Sequence, residues 1–187
     1  MGERDFEEII GSMAPPELID RERLRLLSSF ETRCPACGRE GFTLKMFLYD
    51  MPRVGKTILV VGRCDHCGYT YKDIRLAESR GKQRIVIKVS NLKDLNRIVL
   101  KSSSASIKIP ELGLEMSPGP ASEGFITTIE GILLRFKDVT LVLCRDSSGK
   151  KKEICEKKLK EISDAINGEK EFTVIIEDPE GVSAVLE

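Results

Sequence analysis

Residues 52–70 read PRVGKTILVVGRCDHCGYT, and two kinds of chemistry meet in them. Gly55-Lys56-Thr57 matches the end of a phosphate-binding loop, while Cys64-Asp65-His66-Cys67-Gly68 is half of a metal site. The loop motif G-x-x-x-x-G-K-[ST] requires a glycine where this chain has Asp50, whose carboxylate would repel a triphosphate. Pro52 removes a backbone N–H that such a loop uses as a donor. Thr57 to Val61 is β-branched and apolar where the motif would open a helix, so the stretch reads as a turn before a strand.

The metal half has a partner upstream. Cys34-Pro35-Ala36-Cys37-Gly38 completes the pattern C-x2-C-x26-C-x2-C, with glycine after each second cysteine. Two residues between thiolates let one tight turn present both sulfurs to one ion. The following glycine tolerates positive φ and is expected to turn its amide toward a sulfur. The insert reads as a hairpin, Phe42 to Tyr49 and Thr57 to Val61 around a turn at 50–55. Cys34, Cys37, Cys64 and Cys67 are therefore expected to hold one structural Zn²⁺ in a zinc ribbon. Arg33, Arg39 and Arg63 flank the knuckles and are placed to offset the thiolate charge. His66, the only histidine, is expected to be an exposed knuckle residue rather than a ligand.

The chain has 187 residues, 41% hydrophobic and 32% charged, which fits a folded domain with a small module attached. Lys+Arg and Asp+Glu are both 30, so no overall positive surplus favours nucleic acid or membrane surfaces. No apolar run has the length of a membrane span, and no signal-peptide core opens the chain. A cytoplasmic location is expected, where paired C-x2-C motifs mean metal. One glutamine and three asparagines are few, as in thermophilic proteins.

Along the chain, residues 1–30 read as a helical segment in two pieces, Phe6 to Ile10 and Pro16 to Phe30, the latter with a stripe of Leu18, Ile19, Leu24, Leu27 and Phe30. The ribbon occupies 31–75. A polar connector leads to a β-rich region over 83–187. Strands are expected over 83–89, 97–101, 105–109, 125–129 and 172–177, with a last one over 182–186. Between them, at about 131–168, the period becomes helical on both sides of Asp146-Ser147-Ser148-Gly149, predicting a helical hairpin. This is mainly β with an α insertion, a barrel-like domain after a ribbon. Cys144 and Cys155 flank the hairpin turn, either as two small buried hydrophobes or as a disulfide. No nucleophile has a histidine base within reach of its motif, and no carboxylate pair is marked out, so no catalysis is expected.

Several stretches, in order, resemble one family. They are the two CxxCG knuckles with Asp50-Met51-Pro52 between them, Asp94-Leu-Asn-Arg97, Val99-Leu-Lys-Ser102, Ile109-Pro-Glu-Leu112, Thr127-Thr-Ile-Glu-Gly131 and Asp178-Pro-Glu-Gly-Val-Ser183. The set, spanning roughly 32–187, is similar to the ZPR-type zinc finger proteins and looks like their single-copy archaeal form. Where the family usually has asparagine before the last serine, this chain has Val182. The resemblance implies a ribbon followed by a double-stranded β-helix (jelly-roll-like) domain with a helical hairpin. It also implies a binding protein that partners and assists the folding of translation elongation factor one-alpha. The other expectation is a zinc-ribbon adaptor in transcription or RNA metabolism, using Arg53, Lys56, Arg63, Lys72 and Arg75 as a local basic patch.

Two further expectations concern side chains. Phe47 and Tyr49 alternate with Met46 and Leu48, so they either pack on the β domain or form an exposed patch extended by Asp50, Pro52 and Arg53. Carried over from the family, that face with the Thr127, Thr128 and Glu130 edge is the expected partner surface. Glu111 and Glu130 lie in apolar segments, and at least one is expected to pair with a cation such as Arg97 or Lys101.

Overall fold

The computed structural model describes residues 3–13, 19–51, 54–78, 80–119 and 122–186. Helix α1 spans Glu3–Gly11, and its apolar residues Phe6, Ile9 and Ile10, followed by Met13, recur at helical spacing and are buried. Strands β1 (Arg25–Thr32), β2 (Phe42–Met51), β3 (Gly55–Cys64) and β4 (Thr70–Leu76) form an antiparallel meander. This is the ribbon: the expected hairpin is β2–β3, β4 continues it, and an extra strand, β1, precedes it.

That extra strand corrects the reading of the N-terminal segment. Residues 25–32 are not helical: Phe30 faces Leu44, and Thr32 faces Phe42 across a ladder with β2, with a bulge between Leu26 and Ser28. The apolar stripe there was short and interrupted by Ser28-Ser29, and the unpaired edge of β2 supplied hydrogen-bonding partners that local propensity could not outweigh. Leu18, the start of the stripe, lies outside the described residues.

The rest of the chain forms two sheets. Strands β5 (Gln83–Val89), β10 (Phe172–Asp178), β7 (Ser106–Ile109) and β8 (Leu114–Met116) make one, in the order β5-β10-β7-β8. Strands β11 (Ala184–Leu186), β6 (Ile98–Lys101) and β9 (Phe125–Thr128) make the other, in the order β11-β6-β9. A short helix α2 (Leu92–Leu95) is capped by the Asn91 side chain, which accepts from the amides of Lys93 and Asp94. Helices α3 (Ile129–Cys144) and α4 (Lys150–Ile166) form the hairpin. The sequence did not mark β8, whose three residues are too few to show a period.

Two main cores follow from this arrangement. One lies inside the jelly roll, where Ile87, Val99, Ile107, Val174 and Ile176 meet Ile129, Ile132 and Phe136 of α3 and Ile162 of α4. The other lies between the ribbon and the three-stranded sheet. It joins Phe6, Ile10 and Met13 to Tyr49, Leu59, Val61 and Ile74 of the ribbon, and to Leu100, Ile126 and Leu186 behind them. Successive residues Val99 and Leu100 thus point into different cores, as strand alternation requires.

Only the base of the helical hairpin is packed. Beyond Phe136, the side chains of Val139, Leu141, Val142, Leu143 and Ile154 are exposed. Cys144 and Cys155 form a disulfide across the tip, with Cα atoms 5.9 Å apart, which decides between the two readings of that pair. No helix among the described residues is long and apolar enough to cross a membrane.

Candidate metal centre and its surroundings

The two knuckles are built alike. Each starts with a buried cysteine, Cys34 or Cys64, and ends with an exposed one, Cys37 or Cys67. The amide of Gly38 donates to the Cys34 carbonyl at 2.8 Å, and that of Gly68 to the Cys64 carbonyl at 3.0 Å. Cys34 N–H donates to the Arg39 carbonyl and Cys64 N–H to the Tyr69 carbonyl, at the same offset in each knuckle. Gly38 and Gly68 have φ of 72° and 71°, a conformation that disfavours a Cβ. Their amides close the turn on a carbonyl, not on a sulfur as the spacing suggested.

The sulfurs converge. All four Sγ atoms lie within 4.8 Å of one another, with Cys34 to Cys67 at 3.6 Å and Cys37 to Cys64 at 3.8 Å. Four sulfurs placed about 2.3 Å from a tetrahedral zinc are separated by about 3.8 Å, so the cluster fits the ion. Backbone amides of Cys67, then His66, bring the Cys64 thiol down to about 6, against its burial. At Cys67 the Tyr69 amide pulls the same way, but burial and the neighbouring sulfurs push that thiol up to about 12. Packed thiols cannot all ionise without a countercharge, and a divalent cation supplies one.

Phe42 supports the centre from behind. Its ring packs with Cys34 and Cys64, lies 5.9 Å from Tyr69, and covers Gly62 so closely that a Cβ there would fall 2.4 Å from its Cζ. His66 is exposed and outside the sulfur cluster, as expected. Arg33 is engaged with Glu40 at 2.7 Å, away from the role proposed for it in offsetting thiolate charge.

The structure separates the expected partner residues. Tyr49 is only 4% exposed, lies in the second core, and accepts a hydrogen bond from the Asp20 amide at 3.1 Å. Phe47 packs against the same core. Of the two alternatives, these rings take interior packing. Asp50 is exposed, and Pro52 and Arg53 lie outside the described residues. Thr128 caps α3, its Oγ1 accepting from the Gly131 amide at 3.0 Å, and Thr127 and Glu130 are half-buried beside it. The edge is thus first a helix start.

The opposite face of the ribbon is the apolar one. Leu44, Met46, Ile58, Val60, Tyr71 and Arg75 line a groove of about 490 Å³. Phe30, 47% exposed, stands beside it opposite Leu44. Asp73, fully buried, binds Arg75 Nε at 3.0 Å at one end. The postulated basic patch is dispersed: Arg75 faces this groove, whereas Lys72 lies on the other side and donates to Ser12 Oγ.

Two family-like stretches meet at a site whose role the sequence did not reveal. Asp178, 2% exposed, accepts from the Ser183 amide at 2.6 Å, the Ser183 hydroxyl at 2.7 Å and the Glu180 amide at 2.9 Å. Ser183 Oγ in turn accepts from the Ser102 amide at 3.1 Å. Val182, where the family usually has asparagine, is buried in the second core. The Glu–cation brace expected at Glu111 or Glu130 is not formed among the described residues. Glu111 is exposed and accepts from the Thr173 amide at 3.1 Å. Among the described residues the buried charges are Asp178, Asp73 and Lys101 instead.

Comparison with known proteins agrees with this architecture. Residues 27–80 match the ZPR1 zinc-finger domain and residues 93–187 the ZPR1 jelly-roll domain. An uncharacterised ZPR1-like protein of Methanocaldococcus jannaschii is 35% identical over 82% of this chain and 78% of its own length. One from Pyrococcus horikoshii is 36% identical over 95% of this chain and 78% of its own. The zinc finger chaperone zpr1 of Schizosaccharomyces pombe is 34% identical over 81% of this chain, but this chain spans only 34% of it.

Proposed function

Because the chain belongs to the ZPR1 family, we propose that it is a non-catalytic, zinc-dependent module that binds translation elongation factor one-alpha and assists its folding. The fission yeast relative's name as a chaperone supports a protein client. The elongation factor is the client that the sequence resemblance implies, and a cytoplasmic location goes with it. The observation that carries the reading is the apolar groove on the outer ribbon face, held in shape by the four-cysteine centre. Apolar surface rimmed by polar residues suits a client's exposed hydrophobic segment.

With Phe47 and Tyr49 inside, the contact falls on Leu44, Met46, Ile58 and Phe30. Binding of purified elongation factor one-alpha to the zinc-loaded chain tests this, alongside Leu44→Asp/Met46→Asp protein of matched metal content and fold. A complex lost in the variant is expected. No complex with wild type in either nucleotide state discards the partner, and an unaffected variant discards the face.

A further inference from the structure

The ribbon, the three-stranded sheet and α3 meet around a cavity of about 460 Å³, apart from the metal centre and the outer groove. Lys101, at the end of β6, lines it while only 2% exposed. Its Nζ donates to the Ser102 carbonyl at 2.7 Å. Asp178 and Asp73 act on it through charge, but neither is within ion-pair distance, and both are engaged elsewhere. Asp178 is held by Ser183 and Glu180, and Asp73 by Arg75, Tyr71 and its neighbouring amide. A buried ammonium without a contacting countercharge is costly. Burial accordingly depresses its pKa, and the two carboxylates counter this only in part.

More positive charge gathers at the same cavity. The Arg135 guanidinium of α3 lies 4.3 Å from the centre of the Phe125 ring, and Lys101 Nζ lies 5.6 Å from that ring. Lys72, from the ribbon, lines the cavity too. Among the described residues of the lining, Glu123 and Asp138 are the acids beside these three cations, while Asp73 and Asp178, which act on Lys101 from outside the lining, are already held by other donors. The cations come from β4, β6 and α3, three elements of different parts of the fold.

We propose that this cavity binds an oxyanion, a phosphate or carboxylate group, with Lys101 and Arg135 as its donors and Lys72 as a third cation. The anion supplies the contacting countercharge that Lys101 lacks among the described residues, and Arg135, with its fork of N–H donors, suits a planar or tetrahedral oxyanion. The group is carried either by a small molecule or by an acidic or phosphorylated side chain of a partner. Binding there ties the ribbon to the jelly roll.

The test titrates the zinc-loaded full chain with inorganic phosphate, and separately with acetate, at constant ionic strength set by chloride. A saturable rise in Tm is expected with at least one of them, together with a saturable shift of the ¹³Cε signal of Lys101. Arg135→Gln, at an exposed position that the fold does not require, is expected to weaken the response about tenfold or more. Lys101→Met is expected to abolish it. A short phosphoserine peptide run in parallel identifies the source: tighter binding than free phosphate assigns the anion to a partner chain, equal or weaker binding to a small molecule. No saturable response to either anion in the wild type, or a Lys101 signal that does not move, overturns the proposal, as does undiminished affinity in Arg135→Gln. If Lys101→Met does not fold, the wild-type Lys101 signal and Arg135→Gln decide.

Discussion

At Asp178 one carboxylate organises a turn, the start of a strand and a neighbouring sheet. Ser183→Ala removes a donor to a buried carboxylate and the acceptor for the Ser102 amide. The expected cost is about 1–3 kcal/mol, read from denaturant midpoints at unchanged slope. Burial raises the pKa of Asp178, but the Ser183 hydroxyl and amide and the Glu180 amide outweigh it and hold the group below its ordinary value. The unfolded chain therefore binds that proton more readily than the folded one. This contribution is complete above the unfolded value of about 3.9 and fades as pH falls through the lower folded value. Asp178→Asn should thus flatten the acid limb of the stability profile, and a profile of unchanged steepness would remove Asp178 from that role. At the metal centre, Cys67→Ser is expected to leave substoichiometric zinc by elemental analysis, because exposed position does not make a ligand dispensable in a four-sulfur site. The ligand set was legible because metal geometry dictates spacing. The Asp178 network was not: its stretch stood out, but a hydrogen bond across 81 residues, from Ser102 to Ser183, has no local signature.

Among the elements, legibility followed the length and regularity of the pattern. The α3–α4 hairpin and β5 show many residues in period, and the structure has both. Strand β1 was misread because its identity depends on β2 beside it, and β8 was missed for its brevity. The alternation in β2 correctly put Phe47 and Tyr49 on one face, but which face meets the core is a property of packing between elements. Helix α1 shows how such packing acts. Ile10, 1% exposed, is expected to cost about 2–5 kcal/mol as Ile10→Ala, since it closes the ribbon's inner face. A change of less than half a kilocalorie or so would mean that α1 is not part of the cooperative core. The disulfide at the hairpin tip closes a short loop of sequence separation 11. Reduction, or paired Cys144→Ser/Cys155→Ser, should lower stability by about 2–3 kcal/mol and speed amide exchange in the tip residues, whose apolar side chains have no packing to fall back on.

For the whole molecule, the three-stranded sheet is the shared wall. Its Val99 side belongs to the jelly-roll core and its Leu100 side to the ribbon core. Removal of zinc by a chelator should therefore expose the ribbon and α1 to protease while the jelly-roll core persists, because that core contains no ribbon residue. Simultaneous loss of both, seen as a single proteolytic step, would show that the wall transmits the disruption. The shared wall also bears on the order in which a growing chain can become native. The ribbon's inner face is synthesised by residue 76, yet the core that covers it includes Ile126, Val182 and Leu186. On a ribosome the zinc knuckles can close early and α1 can shield part of the inner face, but the cover over Leu59, Val61 and Ile74 is completed only when Leu186 emerges, about a hundred residues later, an interval in which the rest of an apolar sheet is open to wrong partners. Early metal capture then works as a holding step, keeping the meander in register until the last strand arrives.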